Sequence, residues 1–300
     1  MLRGYLYIIA AAVLWGIIGP FSRLAFDQGV TPMEVAFWRA VLAWVCFGSH
    51  AVLAGQVRVR RRDLPTLLAF SVTGVTLFYG SYQLAVNKGG AALAAVLLYT
   101  APAWVTVLSR VFFKEPVTLV KFVALAMTIA GVAAVSFGAG SQPTAPGRQL
   151  DVTAYAWGLT AGFCYALYYI FGKHFSGRYD SPTIFLYILP LGALLFLPSV
   201  TFAHKTAVAW GALAVIAFFS TYLAYALYYA GLRRLEPSRA AITATLEPVI
   251  AAVVAYFWWQ EVFTFTGYAG GGLILFSVVL IIWDGMRRKR KQTAAAGPAD

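Results

Sequence analysis

Apolar residues run through this chain in long blocks, and its polar positions gather in short clusters between them. Reading from one polar break to the next gives ten blocks, at roughly 5–25, 33–53, 65–85, 90–112, 117–138, 153–173, 182–202, 207–230, 237–259 and 263–284. About 20 mostly apolar residues is the length at which a helix crosses the hydrocarbon of a bilayer. The pattern therefore predicts an all-α polytopic membrane protein with ten transmembrane helices. The breaks carry turn or charge signals, among them Asp27-Gln28-Gly29, Arg58–Asp63, Asn87-Lys88-Gly89, Lys114-Glu115-Pro116 and Arg233-Arg234. The longest break, Gly138–Asp151, is rich in Gly, Ser, Pro and Thr and falls at mid-chain. It divides the chain into a first unit at 1–140, a linker at 141–152, a second unit at 153–286 and a basic tail at 287–300.

Composition agrees with the pattern. Of 300 residues, 61% are hydrophobic and only 11% are charged, against about 25% charged in a soluble domain. That is too little charge to coat a soluble surface, and it also excludes disorder, a fibrous repeat and a disulfide scaffold. The formal net charge of +12 could suggest nucleic acid, but the cations sit between apolar runs, as they do in cytoplasmic loops. We expect no nucleic-acid partner. The tail run Arg287–Lys291 reads as a stop-transfer patch for lipid headgroups. Cys46 and Cys164 lie inside apolar runs and read as small buried hydrophobes.

Cation placement also gives an orientation. With the N-terminus in the cytoplasm, eighteen of the 23 Lys and Arg residues fall on the inside. The other five are Arg23, Arg39, Lys88, Arg148 and Lys205. The bias predicts both termini in the cytoplasm and an even number of spans. The two halves also resemble each other weakly. At an offset of 150, Ala11 meets Ala161, Trp15 meets Tyr165, Phe21 meets Phe171 and Pro32 meets Pro182. At an offset of 146, Tyr82 meets Tyr228, Pro102 meets Pro248, Glu115 meets Glu261 and Thr118 meets Thr264. Five spans per repeat is odd, so two copies in one chain must insert with opposite topology, an arrangement secondary transporters use to obtain two related conformations.

Some of these residues carry a family resemblance. The second half reads Glu236-Pro237-Ser238-Arg239-Ala240-Ala241, then Leu246-Glu247-Pro248-Val249, Trp259-Gln260-Glu261, Gly267 and a Gly-rich last span. The first half carries Ala91–Pro102 followed by Lys114-Glu115-Pro116, with Arg39 after Phe37-Trp38. Over about 5–285 the chain resembles EamA-type members of the drug/metabolite transporter superfamily, whose metabolite exporters include exporters of aromatic amino acids. The resemblance implies a 5+5 inverted repeat with cytoplasmic termini in the inner membrane and export of small metabolites, often amino acids. It also implies that the last span of each half is peripheral and that the others line a central cavity.

The candidate site follows from polar residues at membrane depth. Glu247 lies about ten residues into its span, about 15 Å from the end at 1.5 Å per residue. A carboxylate there is costly unless it faces a cavity or a partner, so it is a candidate proton site or contact for a substrate amine. The alternative is a structural carboxylate paired with Arg or hydroxyl groups. Pro102 and Pro248 take matching mid-span positions, where proline frees a backbone carbonyl. They are candidate hinges, or else static kinks. Arg39 could bind a substrate carboxylate bidentately, or snorkel, or pair with Glu34 or Glu247. Thr76, Tyr79 and Gln83 share one helical face, as do Tyr222, Tyr225 and Tyr229. With Trp15, Tyr99, Trp104 and Tyr168 they could wall a cavity, or they could be interface belts and core packing.

Enzyme signals are missing from the sequence: His50, His174 and His204 have no partner at metal-ligand spacing, and there is no Walker loop or G-x-S-x-G elbow. No cofactor or metal is expected. The expected partners are a small-molecule substrate, a proton as coupling ion and membrane lipid, with the chain a monomer or a homodimer. The reading is a secondary transporter exporting amino acids or related solutes by alternating access between the two repeats. An ion-uncoupled facilitator and a flippase for a lipid-linked carrier are the alternatives.

Overall fold

The computed structural model describes residues 1–138, 152–260 and 262–295, and among them every regular element is helical and no strand is present. In chain order the helices are α1 (Leu2–Gly16), α2 (Ile18–Phe26), α3 (Pro32–Leu53), α4 (Leu64–Phe70), α5 (Phe78–Gly89), α6 (Ala91–Leu98), α7 (Ala101–Phe113) and α8 (Leu119–Gly138). There follow α9 (Val152–Phe175), α10 (Ser181–Phe196), α11 (Ala207–Ala217), α12 (Ala224–Leu232), α13 (Pro237–Ala244), α14 (Glu247–Trp259) and α15 (Phe265–Ala295). The turns between α4 and α5 (Ser71–Leu77) and between α11 and α12 (Phe218–Leu223) are π-helical, so each pair continues as one rod.

Nine helical stretches among the described residues are long and apolar enough to cross a membrane. The predicted block at 153–173 is helical as α9 but falls outside that set, because Tyr155, Tyr165, Tyr168, Tyr169, Trp157 and three glycines dilute its apolar content. Within the expected basic tail at 287–300, α15 runs on through Ala295, so the first residues of the tail continue the last helix. The linker expected at 141–152 lies outside the described residues up to position 151, and Val152 already opens α9.

The fourth and ninth blocks are each broken in two. α6 stops at Leu98 and α7 starts at Ala101; α13 stops at Ala244 and α14 starts at Glu247. Pro102 and Pro248 stand in the first turn of the second piece, where the missing N–H costs no bond within the helix. A threonine hydroxyl caps each break: Thr100 donates to the Leu97 carbonyl at 2.6 Å and Thr245 to the Ile242 carbonyl at 2.5 Å. The second pieces end alike as well, with Lys114 (φ 55°) and Gln260 (φ 57°) in the left-handed region, the usual conformation just past a helix end. Pro102 and Pro248, these two caps and the starts of α7 and α14 all share the 146-residue offset of the sequence match.

The main helix pairings are α8 with α15, α3 with α10, α5 with α9, and α1 with α12. The broken pieces α6 and α7 lie on α9, and α13 and α14 lie on α1. Small residues allow the closest of these approaches. A Cβ on Gly162 would stand 2.6 Å from the Leu97 carbonyl oxygen, so α9 can press against the α6–α7 break only without a side chain there. Stacked rings such as Phe47 on Phe185 (4.6 Å) and Phe70 on Phe171 (4.7 Å) fill the centre.

One end of the bundle collects the basic breaks. Arg234 lies over the Tyr7 ring, Arg178 pairs with Asp63 at 2.9 Å, and Lys121 with Glu236 at 2.9 Å. At the opposite end Glu34 is fully buried and pairs with Lys205, whose ammonium sits 5.3 to 5.6 Å from the rings of Trp38, Phe202 and Trp210.

The α8–α15 contact gives a test of this packing. A Cβ on Gly270 would meet the Gly131 carbonyl oxygen at 2.6 Å, whereas one on Gly271 would meet nothing within 4 Å. Gly270→Ala should lower stability in detergent by about 1–3 kcal/mol through overpacking, while Gly271→Ala should leave it unchanged or raise it by up to about 1 kcal/mol through helix propensity. Thermal unfolding followed by tryptophan fluorescence measures both, and equal effects would contradict the packing.

Candidate functional site

The two broken rods and the rods carrying α1–α2 and α5 surround a cavity of about 720 Å³, within the roughly 300–1,000 Å³ typical of small-molecule sites. Its wall reaches from Trp15, Tyr79 and Tyr225 at the depth of the bundle to Phe26, Pro32, Val86 and Phe263 near the end that carries the Asp27–Thr31 turn. The basic end lies beyond the floor.

The charged residues on the wall are Arg23, Arg39 and Glu247. Glu247 is the first residue of α14, so the break that Pro248 follows is what sets a carboxylate on the wall. The N-terminal end of a helix carries partial positive charge, which favours an anion there. Tyr99, from the matching break of the other rod, shares the cavity wall with this carboxylate. Arg39 is 9% exposed and comes from α3. Its Nε donates to Thr221 Oγ1 at 2.8 Å, and its guanidinium carbon lies 5.5 Å from the centre of the Tyr79 ring. Thr221 belongs to the π-helical turn and donates back to the Ile216 carbonyl five residues earlier at 3.0 Å. That turn therefore fixes the angle of Arg39 and leaves its two terminal nitrogens for another partner. A small pocket of about 10 Å³, bordered by Thr221, Tyr168, Phe185 and Leu189, lies behind the guanidinium.

The remaining wall is aromatic and small. Trp15 is 4% exposed, lies edge-on to Tyr225 at 5.3 Å, and its indole N–H has no hydrogen-bond partner. Phe78 stacks on Tyr165 at 5.3 Å. No three His, Cys, Asp or Glu side chains among the described residues lie close enough to hold a metal ion.

The structure thus gathers Glu247, Arg39, Tyr79, Gln83, Trp15, Tyr99, Tyr225 and Pro248 around one cavity. Tyr168 does not reach its wall; it stacks beneath Tyr225 at 5.5 Å and borders the small pocket. Pro102 is buried behind the wall, Trp104 packs on Phe163 away from the cavity, and Arg39 pairs with neither Glu34 nor a snorkelling path to water. Parts of the two stripes lie off the cavity wall. Thr76 and Tyr222 lie inside the π-helical turns, where the wider turn rotates them off the face held by Tyr79 and Tyr225. Tyr222 instead hydrogen-bonds His50 at 2.8 Å, and Tyr229 is buried below the floor. Phe78, Tyr82 and Tyr165 were not foreseen on the wall, although Tyr79, Tyr82, Gln83 and Val86 share one helical face in the sequence.

Comparison with known proteins follows this geometry. The profile of the EamA-like transporter family matches the chain twice, at residues 2–137 and 152–283. An uncharacterized transporter of Archaeoglobus fulgidus is 30% identical, with 94% of this chain and 97% of that one covered. The uncharacterized inner membrane transporter YicL of Salmonella typhimurium is 27% identical, with 96% and 98% covered. A probable terminal-alkyne amino-acid exporter of Streptantibioticus cattleyicolor is 25% identical, with 95% of both covered. A protein of known crystal structure superposes with a TM-score of 0.80 over 95% of this chain and 98% of that one at 15% identity, which shows a shared fold. With two family matches spanning its described helices, this multi-pass membrane chain belongs to the EamA-like transporter family.

Proposed function

We propose that this chain is a secondary transporter that exports amino acids or similar zwitterionic metabolites by alternating access through the cavity between its halves. The observation that carries the substrate reading is the opposition of Glu247 and Arg39 in one 720 Å³ cavity with aromatic walls. A solute ammonium would meet the Glu247 carboxylate, and its carboxylate would take the terminal nitrogens of Arg39 bidentately. Trp15, Phe78, Tyr82 and Tyr165 offer faces to an apolar or aromatic side chain. The exporter name carried by one relative supports the same class.

The transport reading uses the halves as inverted repeats of five spans each, with α9 as the sixth crossing. The shared offset of the breaks, left-handed caps and π-helical turns supports that symmetry. Both termini lie in the cytoplasm in this reading, on the strength of the cation bias and of the basic breaks meeting at one end. The cavity then faces outward in this conformation. The rods of α6–α7 and α13–α14 pivot at their breaks, with Pro102 and Pro248 as hinge residues. Glu247 exchanges a proton for the solute ammonium, which couples export to the proton gradient.

Two measurements test this. Proteoliposomes given a labelled amino-acid panel, with and without a pH gradient, should show saturable gradient-dependent uptake of one class. Glu247→Gln should abolish the gradient response, and Arg39→Gln should raise the KM for carboxylate-bearing solutes by about tenfold or more, the scale of one lost charge-assisted hydrogen bond. Uptake indifferent to both gradient and Glu247→Gln would leave an ion-uncoupled facilitator. Uptake of no amino acid would contradict the substrate class and point to the lipid-linked carrier flippase. Second, Gln83→Cys on the cavity wall should react with a membrane-impermeant maleimide added from outside, and saturating solute should protect it.

A further inference from the structure

The end of the bundle below the cavity floor holds a connected set of buried charges that the solute site does not use. Lys121 is 1% exposed, and its ammonium lies 2.5 Å from Glu115 Oε1, 2.9 Å from Glu236 Oε2 and 3.0 Å from the Pro116 carbonyl. The Ser238 hydroxyl donates to the same Glu115 carboxylate. Arg239, also 1% exposed, reaches Glu236 Oε2 at 2.7 Å through Nε, Asp284 Oδ2 at 2.6 Å through Nη2 and the Ile281 carbonyl at 3.0 Å through Nη1. Arg288 closes the row on Asp284 at 3.0 Å. Nearby, Lys173 donates to the Leu232 and Leu235 carbonyls at 2.9 and 2.8 Å.

We infer that this network is the inner gate of the transporter, a charged latch that must part for the cavity to open at the basic end. The inference rests on the alternating-access reading above. Its first support is placement. Glu115 follows the end of α7 and Glu236 and Ser238 begin α13, so the Ser238–Glu115 contact ties the two hinged rods to each other, and Lys121, from the start of α8, adds a second tie to α13. Arg178 and Tyr179 hold Asp63 across the halves at 2.9 and 2.6 Å, beside the main latch. At the other end the buried pair Glu34–Lys205 lies among α3 and the 200–206 segment, and neither residue is on the cavity wall.

The second support is energetic. Buried ion pairs are no more stabilising than well-packed apolar side chains of similar volume, and are often less so. Their advantage appears when the interface opens. Parted apolar surfaces would meet water at a cost of about 25 cal/mol per Å², whereas parted charges recover their hydration. A latch of three cations (Lys121, Arg239, Arg288) and three anions (Glu115, Glu236, Asp284) is therefore neutral when shut and wettable when open. Burial opposes the ionisation of Glu236, but Lys121 and Arg239 outweigh it and hold its carboxyl below the usual range.

The test reads conformation rather than transport. Ser109 on α7 is fully buried with an unpartnered hydroxyl, so Ser109→Cys is a near-isosteric reporter beside the latch. In a background with Cys46 and Cys164 replaced by alanine, it is labelled with an impermeant maleimide from the face carrying the basic end. Gln83→Cys is labelled from the opposite face. Glu236→Gln, chosen because Glu236 bridges both buried cations and is 37% exposed itself, should raise Ser109→Cys labelling about tenfold and lower Gln83→Cys labelling, the behaviour of a shifted two-state equilibrium. Arg178→Gln, at the partly exposed contact, should shift both reporters in the same direction by less and serves where Glu236→Gln is poorly folded. Unchanged labelling ratios in folded Glu236→Gln and Arg178→Gln overturn the latch. That result would not touch the transport reading, which solute uptake judges separately.

Discussion

The hydrocarbon of a membrane offers no hydrogen bonds, so every backbone group and charge inside it must find a partner within the protein or face a cavity. Each irregular feature of this chain can be traced to that constraint. The fourth and ninth rods break where a threonine hydroxyl takes up a neighbouring carbonyl and where the second piece can begin with proline. They widen into π-helical turns where Thr221 and Arg39 share a bond, and the Ser71 hydroxyl donates to the Ile188 carbonyl at 2.5 Å in the matching turn. Buried charges lie on the cavity wall, in the Glu34–Lys205 pair at the opposite end and in the network at the basic end.

These irregularities also create the site. An unbroken ninth rod would carry Glu247 in mid-helix, with no free helix N-terminus beside it. The break turns residue 247 into the first residue of α14 and brings it to Tyr99 at the break of the other rod. A regular turn at Phe218–Leu223 would shift Thr221 relative to Tyr225 by about 100° around the axis. Arg39 would then lose its positioning partner. Backbone defects shared at an offset of about 146 residues thus orient polar groups on the cavity wall, and in the proposed mechanism the same breaks are the bending points of the rods.

Much of the fold was legible in the sequence because the bilayer reduces it to one dimension. Apolar run length finds the rods, and proline finds the broken ones. The four tyrosines of α9 read as apolar enough within a ten-block pattern, yet they hold that helix outside the set that length and composition alone select. The site was legible where a residue type is expensive at depth, as for Glu247 and Arg39. It was less legible where local geometry decides the facing. Thr76 and Tyr222 sit on the predicted stripes only for a regular helix, and nothing in their immediate sequence announces the π-helical turns. The least legible part was the network below the floor. Lys121 and Arg239 look like loop cations by position, and their burial depends on carboxylates far along the chain: Lys121 meets Glu236, and Arg239 meets Asp284.

That last misreading shows how two rules for cations coexist in one protein. Arg58 and Arg60–Arg62 can remain in water and cost little, so they report orientation and nothing more. Lys121 and Arg239 obey the same bias in sequence, but each is held between a carboxylate near it in the chain and one from another rod: Lys121 between Glu115 and Glu236, Arg239 between Glu236 and Asp284. A cation that only marked a loop would need no fixed partner, and two cations buried solely for packing would be better replaced by leucines. Charges retained at a closed end, balanced in sign and shared between the rods that must separate, fit an interface that has to be dry in one state and wet in another. The open end has no need of such an arrangement in this conformation, and the ion pair it contains lies to one side of the mouth. On the proposed alternating-access reading, the asymmetry between the two ends is that of a carrier held in one of its two states.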